Sequence, residues 1–190
     1  LTAADIYQQS LDKQRIVIVG EGSSLITSIV LHTLTFFNRK FDYVLADQKN
    51  SLTEYAPIIV IQAAEQLLDY KHHIVVLSDP GSSDSVAAFE QISDATPKGG
   101  TILYPELNSS LKKIGSRERA DVQSIAYGRY KHDFREGKTF LISSTGDKFQ
   151  IALGGEKNLE YISAAKELLK KIGIGSGQFY KAITSYLPAI

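Results

Sequence analysis

Arg15-Ile16-Val17-Ile18-Val19-Gly20-Glu21-Gly22-Ser23-Ser24 is the stretch on which the fold turns. Ile16 to Val19 are all β-branched, with no polar residue between them. Such a run marks a strand covered on both faces, as in a parallel sheet. Gly20 and Gly22 then break it. From Ser24 to Phe37, Ile26, Ile29, Val30, Leu34 and Phe37 recur at helical spacing on one face. Strand, glycine turn and helix form the opening unit of a doubly wound α/β fold.

The same alternation continues outward. Asp42–Ala46, Pro57–Ile61, Ile74–Ser78 and Thr101–Tyr104 read as further strands. Helices are expected at Ala63–Tyr70, Asp84–Ala95 and Ser109–Ile114, and the end of a short one at Ile6–Leu11. Past residue 121 the pattern changes. Val122–Tyr127, Thr139–Ser143 and Phe149–Leu153 read as short antiparallel edge strands, the last two joined by a turn at Thr145-Gly146-Asp147. Leu159–Ile172 and Gln178–Tyr186 read as closing helices, with Gly173 as the stop of the first. The expectation is a three-layer, Rossmann-like, mostly parallel sheet with a small antiparallel extension, in one domain over residues 1–190. Its parallel core spans about 13–120, and antiparallel strands and closing helices fill about 121–190.

Composition narrows the function classes. The 190 residues carry 21 basic and 21 acidic side chains, so no basic excess points to nucleic acid. No apolar run reaches the roughly 18 residues that span a bilayer. With no Cys, disulfides, thiolate metal sites and thiol nucleophiles drop out. Cytoplasm is the default compartment. The absence of Met and the opening Leu1 suit a fragment or a processed chain, or a sequence from which Met positions were lost.

Gly20-Glu21-Gly22-Ser23-Ser24-Leu25 sits where a helix N-terminus presents free amides to a phosphate. It has no Lys for the outer phosphates and no third Gly of a dinucleotide fingerprint. The plain alternative is a tight turn with Ser23 or Ser24 as helix cap. Ser78-Asp79-Pro80-Gly81-Ser82-Ser83-Asp84 ends another strand and reads as a turn capped by Asp84. His72 and His73 with Asp79 suggest a metal, but neighbours on a strand point to opposite faces. Lys112, Lys113, Arg117 and Arg119 are interleaved with acids and read as a solvated helix end.

Tyr7-Gln8-Gln9-Ser10, Asp12 to Ile18, Ile26 to His32 and Phe41-Asp42-Tyr43 together resemble the central ATPase domain of the Mur ligases. The likeness is nearest to the murein-recycling tripeptide ligase and UDP-N-acetylmuramate–alanine ligase branch. It continues through Tyr70 to Ile74, Gly99 to Tyr104, Gly137 to Ile142, Gly155 to Leu159, Ala164-Ala165-Lys166 and Phe179 to Ile183. The resemblance implies ATP- and Mg²⁺-dependent joining of an amine to a carboxylate on a UDP-muramyl precursor, through an acyl phosphate, in bacterial cell-wall metabolism. It also implies site positions. The family loop Gly-x-x-Gly-Lys-Thr-Thr falls on Gly20, Gly22, Ser23 and Ser24, about one residue short and without its Lys. The acidic metal motif falls on Gln62-Ala63-Ala64-Glu65, where Glu65 alone keeps a carboxylate. The family His falls at Asp84. The adenine-side motif Gly-x-His-Asn-x-x-Asn reads Gly155-Glu156-Lys157-Asn158-Leu159-Glu160-Tyr161, with Asn158 retained and Lys157 in place of the His.

Lysine, metal acids, histidine and half of the adenine clamp are altered together, while the scaffold persists. This pattern leads to a non-catalytic domain with no catalytic residue and no firm cofactor. Its role would be scaffolding, residual nucleotide or UDP-muramyl-precursor binding, or recognition of a protein partner. One alternative is a working ligase fragment that needs other domains, with Lys157 reaching the phosphate. The other is a dinucleotide-binding module, with Asp47 on a ribose.

Overall fold

The computed structural model describes residues 1–188. Thr2 caps α1 (Ala3–Gln8): Asp5 N–H donates to its hydroxyl, and Thr2 N–H donates to the Asp5 carboxylate. β1 (Gln14–Val19) follows, then α2 (Ser23–Phe36). β2 (Asp42–Val44), β3 (Asn50–Ser51), β4 (Ile58–Gln62), β5 (Ile74–Leu77), α3 (Ser83–Asp94), β6 (Thr101–Pro105), α4 (Ser109–Gly115) and β7 (Gln123–Tyr127) complete the larger layer system. The seven strands lie in the order β3-β2-β4-β1-β5-β6-β7, parallel except for β2–β3. A second sheet is antiparallel, in the order β10-β9-β8. It is built from β8 (His132–Arg135), β9 (Lys138–Ile142) and β10 (Lys148–Ile151). Helices α5 (Glu156–Lys171) and α6 (Ser176–Ile183) close the chain.

The pleat explains the unbroken apolar runs. Ile16 and Ile18 face a core shared with α2, α5, α6 and the small sheet. Val17 and Val19 face the opposite core, shared with α1, α3 and α4. Ile59, Val60 and Ile61 divide the same way, as do Ile74 to Leu77. Each full burial of such a side chain stabilises the fold by about 1.5–3 kcal/mol. A buried ion pair ties the lower edge. Lys13 Nζ lies 3.3 Å from Asp42 and donates to Thr53 O and Ala56 O, and Asp42 accepts from Thr53 N–H and hydroxyl.

Several expectations are corrected. No helix forms over 63–70. Ala63 N–H extends the pairing to Ile18 O, and the segment then turns, with Gln66 and Lys71 at φ 53° and 49°. Only Ala63 and Leu67 find cover there, too little apolar surface to hold a helix against the sheet. β7 is parallel to β6, so the parallel sheet runs to Tyr127, past the boundary set near 120. The antiparallel part instead includes β8, joined to β9 by Glu136-Gly137, both at positive φ as a tight hairpin turn requires. Ser82, not Asp84, caps α3 by accepting from Ser85 N–H; Asp84 sits in the first turn. The second closing helix stops at Ile183 rather than Tyr186. Gly173 does end α5: Ile174 N–H reaches Leu169 O, and Gly173 N–H reaches Lys170 O.

Candidate functional site

Successive connections leave β1 toward opposite sides of the sheet, so a crevice opens at the carboxyl ends of β1, β4 and β5. Gly20 forms its floor at φ +96°. A Cβ at Gly20 would lie 2.6 Å from Ser78 Oγ and 2.7 Å from Asp79 O, so only glycine fits. The loop is stitched to the end of β5. Glu21 N–H donates to Asp79 O at 2.8 Å. Gly22 N–H donates to Ser78 Oγ at 3.1 Å, and that hydroxyl donates to Val19 O at 2.7 Å. Ser23 N–H turns back to Gly20 O.

Gly22 itself is the N-cap of α2, without side-chain help. Ser23 and Ser24, the expected caps, instead lie in the first turn, where Gln62 Nε2 donates to Ser24 Oγ at 2.7 Å and to Ser23 Oγ at 3.4 Å. The Tyr161 ring covers Gly22: a Cβ there would fall 2.4 Å from Tyr161 Cε1. Burial pushes the Tyr161 phenol up, so it stays neutral. The Glu21 carboxylate lies over Gly81. Lys157 Nζ donates to Asp79 at 2.6 Å across the mouth, and that bond raises its pKa.

The structure thus gathers Gly20, Gly22, Ser23, Ser24 and, through Asp79, Lys157. It does not bring in the other two predicted residues. Asn158 Nδ2 turns back to Gly154 O at 2.7 Å. Glu65 is exposed on the 63–73 segment, and no group of three His, Cys, Asp or Glu residues able to hold a metal occurs among the described residues. A triphosphate with Mg²⁺ does not fit these residues. The amides of Glu21, Gly22 and Ser23 are taken from within. An amide, Gln62, stands at the end of β4, and a carboxylate, Glu21, sits in the mouth without a neutralising lysine. The loop is closed on itself as far as Ser23, and the Ser24 and Leu25 amides at the start of α2 bond to no protein group among the described residues.

Two clefts flank the turn. One, of about 410 Å³, is lined by Ser24, Thr27, Ser28 and Leu31 from one stripe of α2, with Asp47 and Gln62 opposite. The buried Thr27 hydroxyl has no partner among the described residues. Its signal in the sequence is the Ser24-x-x-Thr27-Ser28 spacing, a polar stripe on an apolar helix. Asp47 is engaged by Lys49, whose ammonium lies 2.8 Å away and holds the Asp47 carboxyl below its usual range. The other cleft, of about 310 Å³, lies beyond β5. There Arg129 grips Glu156 with two bonds of 3.1 and 3.0 Å, and Lys157 holds Asp79, so both cations are paired and the Glu160 carboxylate is left over. The histidine pair has separate partners: His72 Nε2 meets Thr96 Oγ1 at 2.8 Å, and His73 Nδ1 accepts from Arg15 N–H at 3.0 Å. Ser78, which closes the loop, was legible only as a turn residue.

No protein-family model and no curated protein matches the sequence. Solved structures do match in shape. The UDP-N-acetylmuramoylalanyl-D-glutamyl-2,6-diaminopimelate–D-alanyl-D-alanyl ligase of Acinetobacter baumannii superposes with a TM-score of 0.78 at 13% identity, over 98% of this chain and 49% of that one. The fold is that of a Mur ligase central domain. The Neisseria meningitides UDP-N-acetylmuramate:L-alanyl-gamma-D-glutamyl-meso-diaminopimelate ligase gives 0.71 at 11% identity, over 99% of this chain and 69% of that one. Folylpolyglutamate synthetase from Lactobacillus casei gives 0.74 at 9% identity, over 98% and 66%. The Mur-ligase-like chain thus spans about half the length of the Acinetobacter enzyme. Among the described residues no helix is long and apolar enough to cross a membrane.

Proposed function

We propose that this Mur-ligase-like domain does not turn over ATP and works by binding. The observation that carries this reading is the closed Gly20 turn, whose amides are satisfied by Asp79 O, Ser78 Oγ and Gly20 O while Tyr161 covers Gly22. A phosphate entering there would displace internal bonds and meet Glu21 rather than a lysine. The hydroxyl-lined cleft beside α2 supports a binding role. Its occupant on this reading is a UDP-muramyl precursor or a segment of a protein partner, in the bacterial cytoplasm, with no nucleic acid or membrane involved. Lys157 would serve a ligase only after leaving Asp79.

Thermal melting with nucleotides tests the proposal. ATP with Mg²⁺ and NAD are each expected to leave the midpoint unchanged at millimolar concentration. A Mg²⁺-dependent rise with ATP would establish a working ligase site. A rise with NAD alone would establish the dinucleotide module, and either result overturns the proposal.

A further inference from the structure

A separate cleft of about 310 Å³ lies between the small antiparallel sheet and helices α5 and α6. Lys131 and Ser144 reach it from the sheet side, and Lys166, Ser163 and Ser176 from the helices. Its floor is fixed. Tyr130 and Tyr180 are buried and share a hydroxyl–hydroxyl bond of 2.5 Å, and Lys166 Nζ lies 5.4 Å from the centre of the Tyr130 ring. Its lining carries three cations and one carboxylate, in a chain whose formal net charge is zero.

Several other cations meet acids. Arg117 binds Glu90 and Asp94, Arg119 binds Asp121, and Arg135 and Lys148 share Asp133. In this cleft neither Lys131 nor Lys166 has a carboxylate within ion-pair distance among the described residues. One carboxylate, Glu167, lines the wall, and Arg129 stands at the rim, bound to Glu156. The hydroxyls of Ser144, Ser163 and Ser176 donate to no side chain or backbone group among the described residues. Two ammonium-bearing and three hydroxyl-bearing side chains therefore line one cleft from two walls. Donors approaching from two sides suit a tetrahedral oxyanion better than a flat carboxylate, which is gripped from one edge.

From this we infer that the cleft is a binding site for a phosphoryl group, on a phosphate ester or a diphosphate. Lys131 and Lys166 supply the charge, and the three serines supply neutral donors. The site is distinct from the Gly20 turn and does not depend on how that turn functions.

The test is a nuclear magnetic resonance titration of the 190-residue chain with inorganic pyrophosphate, without Mg²⁺, with glutarate as the dicarboxylate for comparison. Saturable shifts are expected at the amides of Ser144, Ser163, Lys166 and Ser176, stronger for pyrophosphate than for glutarate, and weakening as salt rises. Lys131→Gln, at an exposed position, and Lys166→Gln should each weaken binding about tenfold or more. Shifts confined to the Gly20 turn, no saturation by high millimolar pyrophosphate, equal response to glutarate, or unchanged affinity in the exposed Lys131→Gln variant would each overturn the assignment.

Discussion

At the carboxyl end of β1 two adjoining regions differ in what they retain. The strand itself is continuous, doubly buried and paired on both sides, with β4 and β5 in parallel register. The turn that follows has the glycines and the position of a phosphate loop, yet its amides point into the protein's own Ser78 and Asp79. Packing tolerates only apolar residues of suitable shape in the strand, whereas the turn needs only to reverse the chain. A sheet of this kind can therefore persist while the chemistry at its edge is replaced, and fold alone does not specify what the edge does.

The comparison can be broken or sharpened by experiment. Ile18→Ala, at a fully buried position, should cost about 2–5 kcal/mol in urea unfolding, through lost burial and the cavity left behind. A cost below about 1 kcal/mol would mean that the sheet centre is loosely packed.

Acid should destabilise the lower sheet end next. Burial, then the nearby charges of His73 and Arg15, depress the His72 pKa to about 4 from its ordinary value of 6.5. Between those values the unfolded chain holds the extra proton, so stability falls as pH drops from 6.5 toward 4. The full loss is about 3 kcal/mol, and His72→Gln should flatten the profile measured by denaturation at several pH values.

In the turn, Ser78→Ala removes the acceptor for Gly22 N–H and the donor to Val19 O. It should cost about 1–3 kcal/mol, since the Gly22 N–H is left unpaired, while Val19 O keeps its bond from Ser78 N–H. Lys157→Gln breaks a largely exposed pair with Asp79 and should change stability by less than about 1 kcal/mol, because solvent screens it. If Lys157→Gln proved as damaging as Ser78→Ala in the same melts, the clasp across the mouth would matter as much as the buried bond.

How much of this was legible in the sequence follows from the same contrast. Ile16 to Val19 and the Ile26–Leu34 stripe announced strand and helix, because burial on both faces, or on one, leaves a period. β8 left no such mark, being an exposed edge with Phe134 in solvent. β7 was visible as a strand, but a short β run does not reveal the direction of its neighbour. The segment at 63–70 carried two leucines and read as helical, although of the two only Leu67 packs against the core. At the site, the missing lysine and acids were plain from residue identity. The closure by Ser78 was not, since it joins the turn across 56 residues of chain. Asn158 was read as lying just before the helix, whereas α5 begins at Glu156, and its side chain donates back to Gly154 O rather than facing the crevice.

The central claim is that the Gly20 turn is closed to nucleotide. Isothermal titration of the chain with Mg²⁺-ATP, alongside a non-hydrolysable analogue, tests it most directly. The account predicts no saturable heat up to millimolar nucleotide. Saturable binding in the micromolar range would contradict it, because the turn would then have to open and a cation such as Lys157 would have to replace the missing lysine.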